Sequence, residues 1–445
     1  MRSHPSFGEA LRFWLKLGFI SFGGPAGQIA IMHTELVERR RWIGEQRFLH
    51  ALNFCMLLPG PEATQLATYC GWLLHRTWGG IAAGVLFVLP SALLLWVLSY
   101  VYVSFGQLPW IAAAFDGLKP AVTAIVVAAT LRIGSRALKN PVLWGIAGAS
   151  FIAIFFCHVP FPAIIATAAL IGFFGGRRWP ARFPASTGHA VASSGSVIDD
   201  SHGTIEHARP SSARALRVTL VSLGLWWLPV VAIGGWQGWS STLAKEAVFF
   251  SKAAMVTFGG AYAVLPYVGQ QAVEHYHWLS APQMLDGLGL AETTPGPLIM
   301  VVQFVGFLGG WNQPGNLTPL AAATLGALIT TWTTFVPCFF WIFLGAPYIE
   351  QMRGNLNVSR TLTAVTAAVV GVIANLAVWF AGHALFPNSK IHLTAPPRVI
   401  TIDADPIAIG VAIAAFVAMH RFKVGVIPVV VICAGIGLLR HAMGY

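Results

Sequence analysis

"LLPGPEATQLA" (residues 57–67) lies in an apolar run of membrane-spanning character, yet it carries a Pro-Gly-Pro triplet followed at once by a glutamate. Proline inside a helix removes a hydrogen bond and clashes with the preceding turn, and a carboxylate in hydrocarbon is costly. The stretch therefore predicts a helix that ends within the membrane. The triplet returns in "TTPGPLIMVVQ" (293–303). A shift of 236 residues superposes the two triplets, sets "KLGFISFGG" (16–24) on "KAAMVTFGG" (252–260), and pairs Trp42 with Trp278. Over 16–61 against 252–297, 12 of 46 positions are identical without a gap, where roughly three or four are expected by chance for such a composition. "AVTA" at 121–124 and again at 364–367 extends the match at a slightly different offset. The chain reads as two copies of one unit, a common build for secondary transporters.

Composition sets the solvent. Of 445 residues, 56% are hydrophobic and 10% charged, against about a quarter charged in soluble domains. With a mean hydropathy of +0.69, the expected class is an all-α polytopic membrane protein, with the lipid bilayer as partner. The formal charge of +11 does not point to nucleic acid, because the basic residues sit in short loops between apolar runs and read as topology signals. The N-terminal stretch has no small-residue cleavage site, so no cleavable signal peptide is expected. Cys55, Cys70, Cys157, Cys338 and Cys433 show no CxxC spacing and read as packing residues.

About 13 apolar segments follow: 8–33, 48–73, 78–104, 109–131, 141–158 and 160–175, then 216–235, 246–270, 284–309, 317–346, 361–386, 405–420 and 424–440. They divide the chain into a first repeat (1–175), a polar flexible cytoplasmic linker (176–217), a connecting transmembrane helix (218–245) and a second repeat (246–445). His189, His202 and His207 in the linker match no common metal spacing, and neither metal nor cofactor is expected.

The loop 34–47 carries Arg39, Arg40, Arg41 and Arg47, whereas its counterpart 271–283 carries no Lys or Arg. The positive-inside rule puts the first in the cytoplasm and the second outside, which predicts inverted-topology repeats. If all thirteen segments crossed fully, 132–140 and the six-arginine linker would fall outside. If the segments 8–33, 48–73, 246–270 and 284–309 are broken or re-entrant helices, nearly all basic loops fall inside, Lys390 with Arg398 and Arg440 excepted. Both arrangements leave an odd number of crossings between the repeats.

"SFGGPAGQIAIMH", "RRWIGEQRFLHALNFCMLLPGPEATQLATYCGW", "TFGGAYAVLPYV" and "LAETTPGPL" resemble the chromate ion transporter family in its long, two-domain form, over nearly the whole chain. The resemblance implies transport of chromate, with sulfate as structural analogue, across the bacterial cell inner membrane, where efflux confers chromate resistance. It does not fix the oxyanion of this member, and it leaves oligomeric state open, a homodimer included.

A dianion leaving water needs donors, and backbone N–H groups at helix N-termini supply them. Glycine admits close approach and proline starts helices. The expected substrate site is therefore Ser21, Phe22, Gly23, Gly24 and Pro25 with Pro59, Gly60, Pro61 and Gln65, joined by Thr257, Phe258, Gly259 and Gly260 with Thr293, Thr294, Pro295, Gly296 and Pro297. Gln28, His33, Asn53 and Gln303 are weaker candidates. Lys16 and Lys252 share one repeat position and serve either to attract the anion or to snorkel to the interface. Glu62 and Glu292 flank the two triplets and serve either in proton coupling or as helix caps. Asp116 and Lys119 are expected to pair, and the GxxxG pairs Gly80–Gly84 and Gly306–Gly310 to pack helices.

The chain has no HExxH, GxSxG or GxxxxGK[ST] motif, so an enzyme or an ATP-driven pump lacks support. A passive anion channel, and a membrane-embedded flippase or enzyme acting on a phosphorylated lipid, stay open as alternatives.

Overall fold

The computed structural model describes residues 4–22, 24–56, 58–184, 197–198, 211–258, 260–349, 356–386, 390–391, 400–401 and 404–444. Apart from a two-residue β pair, Lys390–Ile391 with Ile400–Thr401, the described residues are helices and short connections. The first half contains α1 (Phe7–Ile20), α2 (Gly24–His33), α3 (Glu45–Cys55), α4 (Glu62–Phe105), α5 (Pro109–Ala137), α6 (Pro141–Phe155) and α7 (Phe161–Arg178). Then come α8 (Ser212–Gln237), α9 (Thr242–Val256), α10 (Ala261–Gln270), α11 (Ala281–Thr293), α12 (Val301–Asn312), α13 (Pro319–Ile349), α14 (Leu356–Leu385), α15 (Pro406–Arg421) and α16 (Val426–Ala442). Among the described residues, five helices are long and apolar enough to cross a membrane: Glu62–Phe105, Pro109–Ala137, Ser212–Gln237, Pro319–Tyr348 and Arg360–Leu385. The chain is a polytopic helical membrane protein.

α4 is nominally 44 residues long, about twice what a bilayer needs. It is two arms, because His75 and Arg76 leave helical geometry, Arg76 at φ 54°. A Cβ on Gly71 would lie 2.4 Å from the Gly79 carbonyl, and one on Gly84 would lie 2.5 Å from Thr68 Oγ1. Residues 62–74 therefore run back along 77–105, backbone against backbone. In the second half α12 doubles back on α13 in the same way, with Gly306 against Gly326 and Gly310 against Ala322. Both GxxxG pairs are packing sites.

The segment 8–33 is not one helix. α1 stops at Ile20, α2 starts at Gly24, and Arg40 returns to lie over the Phe13 ring and 3.5 Å from Glu9. α3 begins beside the end of α2, with His33 Nε2 2.8 Å from Glu45 Oε2, and breaks at 56–61. The far end of the first α4 arm comes back to α1, His75 Nε2 lying 3.0 Å from the Pro5 carbonyl. Two broken helix pairs thus open toward one face. In the second half Tyr276 and Trp278 return to Phe249 of α9, and Asn312 at the end of α12 donates to the Trp278 carbonyl.

The matched halves repeat backbone detail. Trp42 N–H donates to Leu36 O and Trp278 N–H to Ala272 O, both at 2.8 Å after a π-helical turn; Phe22 N–H reaches Ile20 O at 3.1 Å and Phe258 N–H reaches Val256 O at 3.0 Å. The long helices interlock. α5 buries Leu118, Ala121, Ile125 and Ala128 against Met419 of α15 and Val429, Val430 and Cys433 of α16. α14 lies against α6 and α7, with Gly371 at the Ala147 carbonyl and Gly172 at the Thr361 carbonyl.

The stretch read as linker and connecting helix is divided differently. α7 extends to Arg178, α8 begins at Ser212, and α9 already starts at Thr242. Ser211 explains the early start of α8, its side chain capping the Arg214 N–H. Within the linker, the apolar pair Val197 and Ile198 is docked: Val197 N–H donates to Arg41 O, Ile198 N–H to Trp42 O, and Gly44 N–H to Ile198 O. The three linker histidines lie outside the described residues.

Candidate oxyanion site

The four breaks meet in two crossings, each joining one half to the other. Gly60 N–H donates to the Thr257 carbonyl and Gly296 N–H donates to the Ser21 carbonyl, both at 2.7 Å. Each Pro-Gly-Pro triplet is thus tied to the Phe-Gly-Gly region of the opposite half. Gly60 (φ 128°) and Gly296 (φ 105°) occupy backbone that other residues avoid. Each also faces a small residue after a transmembrane proline of the opposite half: a Cβ on Gly60 would lie 2.9 Å from Cys338 Sγ, and one on Gly296 2.5 Å from Ser91 Cβ. Ser91 escaped the sequence reading, and Cys338 enters it only as one of five packing cysteines. The signal was there in Pro90-Ser91 and Pro337-Cys338, one pair per half.

The hydroxyls expected to donate to an anion are already used. Ser21 Oγ donates to Leu17 O and Thr257 Oγ1 to Ala253 O, both at 2.6 Å; Thr293 Oγ1 donates to Leu290 O and Thr294 Oγ1 to Ala291 O. Hydroxyls in a helix readily satisfy the carbonyl three or four residues back. The remaining donors are backbone. Pro61 is the N-cap of α4, Pro297 precedes the turn 298–300, and Gly260 (φ 92°) is the N-cap of α10; none makes a side-chain cap. Gly24 (φ 70°) opens α2 with no atom within 4 Å of its Cβ position. Pro25, Phe22 and Phe258 are half-buried beside these breaks, while Pro59 and Pro295 are buried. Gly23 and Gly259 lie outside the described residues.

Gln65 is fully buried and donates from Nε2 to the Pro59 carbonyl, satisfying the break it follows. Gln28, 1% exposed, donates from Nε2 to the Gly296 carbonyl at 2.5 Å, and its Oε1 is unpartnered among the described residues. Gln303 donates to Ala92 O. His33 sits at the loop end with Glu38 and Glu45, away from the crossings, and the Asn53 side chain is outside the described residues. Asp116 and Lys119 pair at 2.5 Å.

Both glutamates face α10. Glu62, 8% exposed, has no hydrogen-bond partner among the described residues, and its Oε1 lies 3.9 Å from the Cβ position of Gly260. It does not cap α4. Glu292 accepts a hydrogen bond from Tyr262, two residues into the same opening. Lys16 and Lys252 are exposed and have no ion-pair partner among the described residues. No group of three or more His, Cys, Asp or Glu suited to a metal occurs among the described residues.

A polytopic helical chain whose interrupted helices converge from two similar halves is the architecture of a membrane transport protein. The chain belongs to the Chromate transporter family, which it matches over residues 8–173 and 245–438. It is 30% identical over 443 residues to the chromate transport protein of Pseudomonas aeruginosa, covering 97% of this chain and 91% of that one. It is 29% identical over 381 residues to the chromate transport protein of Cupriavidus metallidurans, covering 85% and 83%. The uncharacterized transporter YwrA of Bacillus subtilis is 32% identical over 120 residues, which are 27% of this chain but 67% of that protein. No solved structure matches. Family membership indicates a transporter and not an enzyme.

Proposed function

We propose that this protein is a secondary transporter of chromate and sulfate-like divalent oxyanions in the bacterial inner membrane, with efflux as its physiological direction. The observation that carries the mechanism is the reciprocal pair of backbone hydrogen bonds, Gly60 to Thr257 and Gly296 to Ser21. It ties the four helix ends together in two cross-half pairs, and in this reading N-terminal N–H groups there replace the water of an anion.

In this reading the halves are inverted. The hairpins of the first half open to the face holding Arg39–Arg41, five crossings follow (the second arm of α4, then α5 to α8), and the hairpins of the second half open to the opposite face. The anion sits at the carboxylate-free α2 opening, where the Gln28 amide is the neighbouring side chain. Glu62 and Glu292, at the α10 opening, carry the coupling proton. Lys16 and Lys252 stand near the inner ends of α1 and α9. An unpaired lysine at that depth requires water, so both line aqueous approaches and draw the anion in.

Proteoliposomes test this directly. Chromate, sulfate and molybdate uptake is measured under imposed pH and voltage gradients. Saturable chromate flux that responds to the pH gradient is expected. Non-saturable, purely voltage-driven conductance would establish the channel alternative, and lipid-dependent scrambling without anion flux the flippase alternative.

A further inference from the structure

Glu246 of α9 is completely buried, and neither carboxylate oxygen has a hydrogen-bond partner among the described residues. It lies in a notch made by two glycines of the α12–α13 hairpin. Oε1 is 2.2 Å from the Cβ position of Gly309 and Oε2 is 2.8 Å from that of Gly326, so any larger residue at either place would occupy the space of the carboxyl group. Trp278 borders the same notch, and its indole N–H is also without a partner among the described residues.

Among the described residues no charge compensates it. α12 and α13 contain no Asp, Glu, Lys, Arg or His. α8 carries Arg214 and Arg217 at its far end, α10 offers only Tyr262 and Tyr267, and α9 itself has Lys245 and Lys252, both exposed. The connection 271–280 holds Glu274, His275 and His277 on the surface, with Tyr276 stacked on Trp278. In the 236-residue register the equivalent of Glu246 in the first half is Ala10, and that of Gly309 is Leu73. A leucine would fill the same volume without the desolvation penalty that an isolated carboxylate carries in such surroundings. A buried polar group left this way needs a reason.

We propose that Glu246 is a second proton-binding site of the transporter, neutral while α9 is packed on the α12–α13 hairpin and ionised when the two separate. Only one helical turn lies between it and the start of α9 at Thr242. A small outward movement of α9 would wet the carboxyl group and release its proton to the face on which α9 begins. Protonation then favours the packed arrangement and deprotonation the open one. The coupling role rests on the transport reading above; the protonation does not.

The test uses the whole chain in lipid. Infrared difference spectra across a pH titration, with no chromate present, report the carbonyl stretch of protonated carboxylic acids. Wild type is compared with Glu246→Gln, Glu246→Leu, Glu62→Gln and Glu292→Gln. Glu246→Gln is expected to lose a titrating band that the Glu62 and Glu292 variants keep. Flux of chromate driven by a pH gradient is expected to fall about tenfold in Glu246→Gln, the size of a typical coupling energy, with counterflow retained. Spectra identical to wild type would overturn the proposal. So would a Glu246→Leu variant, confirmed folded by thermal unfolding, that transports like wild type over the whole pH range, since the side chain would then be filler. Absence of any chromate flux in the wild type would instead defeat the transport reading and leave the infrared result standing.

Discussion

The two crossings are built alike and furnished differently. At the first, the Ser21 carbonyl receives Gly296 N–H, Gln28 reaches the Gly296 carbonyl, and Gly24 faces open space. At the second, the Thr257 carbonyl receives Gly60 N–H, while Glu62 borders Gly260 and Glu292 is held by Tyr262. The 236-residue register pairs Gln28 with Val264, Ala26 with Tyr262, Met56 with Glu292 and Glu62 with Leu298. The backbone scaffold is thus duplicated, and the ionisable groups belong to one crossing. In the proposed mechanism this asymmetry lets the anion sit at one opening and the proton at the other without setting two negative charges face to face.

The largest effect is expected from breaking the scaffold itself. Gly60→Val and Gly296→Val combine a backbone conformation that valine avoids with contacts under 3 Å, together costing about 2–6 kcal/mol. Transport should disappear in both, and detergent size-exclusion profiles should report partial unfolding. Equalising the crossings comes next. Gln28→Glu puts a carboxylate at the neutral opening and should weaken chromate binding at least about tenfold, read as a higher KM with little change in the sulfate-to-chromate ratio. In the opposite sense, Glu62→Gln should flatten the pH dependence of flux; an unaltered profile would dismiss this residue from coupling. Tyr262→Phe removes one hydrogen bond to Glu292 and should cost about 1 kcal/mol of thermal stability, with a modest loss of flux. Smallest of all, exchanging the two covering residues as Ser91→Cys with Cys338→Ser should change stability by less than about 1.5 kcal/mol, because volume is nearly conserved.

Much of this was legible beforehand because it depends on local backbone chemistry. Phe-Gly-Gly and Pro-Gly-Pro announce helix breaks from residue type alone, and the helices do stop at Ile20 and Cys55. The shared Phe-Gly-Gly and Pro-Gly-Pro motifs of the two halves made the second set of breaks readable from the first. What the pattern could not supply was partnership. Nothing in "TFGG" says that its threonine carbonyl meets Gly60, over 190 residues earlier. The hydroxyls of Ser21 and Thr257 look like ligands in one dimension and turn out to serve their own helices. Glu246 follows Lys245 in the first turns of its helix and resembles an ordinary charged helix start; only packing reveals its burial. The docking of Val197 and Ile198 on the loop 41–44 was masked by the polar residues around them.

The exchange of long helices has a consequence for biosynthesis. α5 leaves the ribosome early, yet the apolar row it presents is covered by α15 and α16, roughly the last forty residues of the sequence. Contacts of such sequence separation form late and slowly. During synthesis the first half must wait in the bilayer with α5 lacking its final neighbours, so C-terminal truncations should expose that helix to membrane proteases before they touch the crossings. A chain comprising a single such half would face the same vacancy permanently and would have to fill it with a second polypeptide.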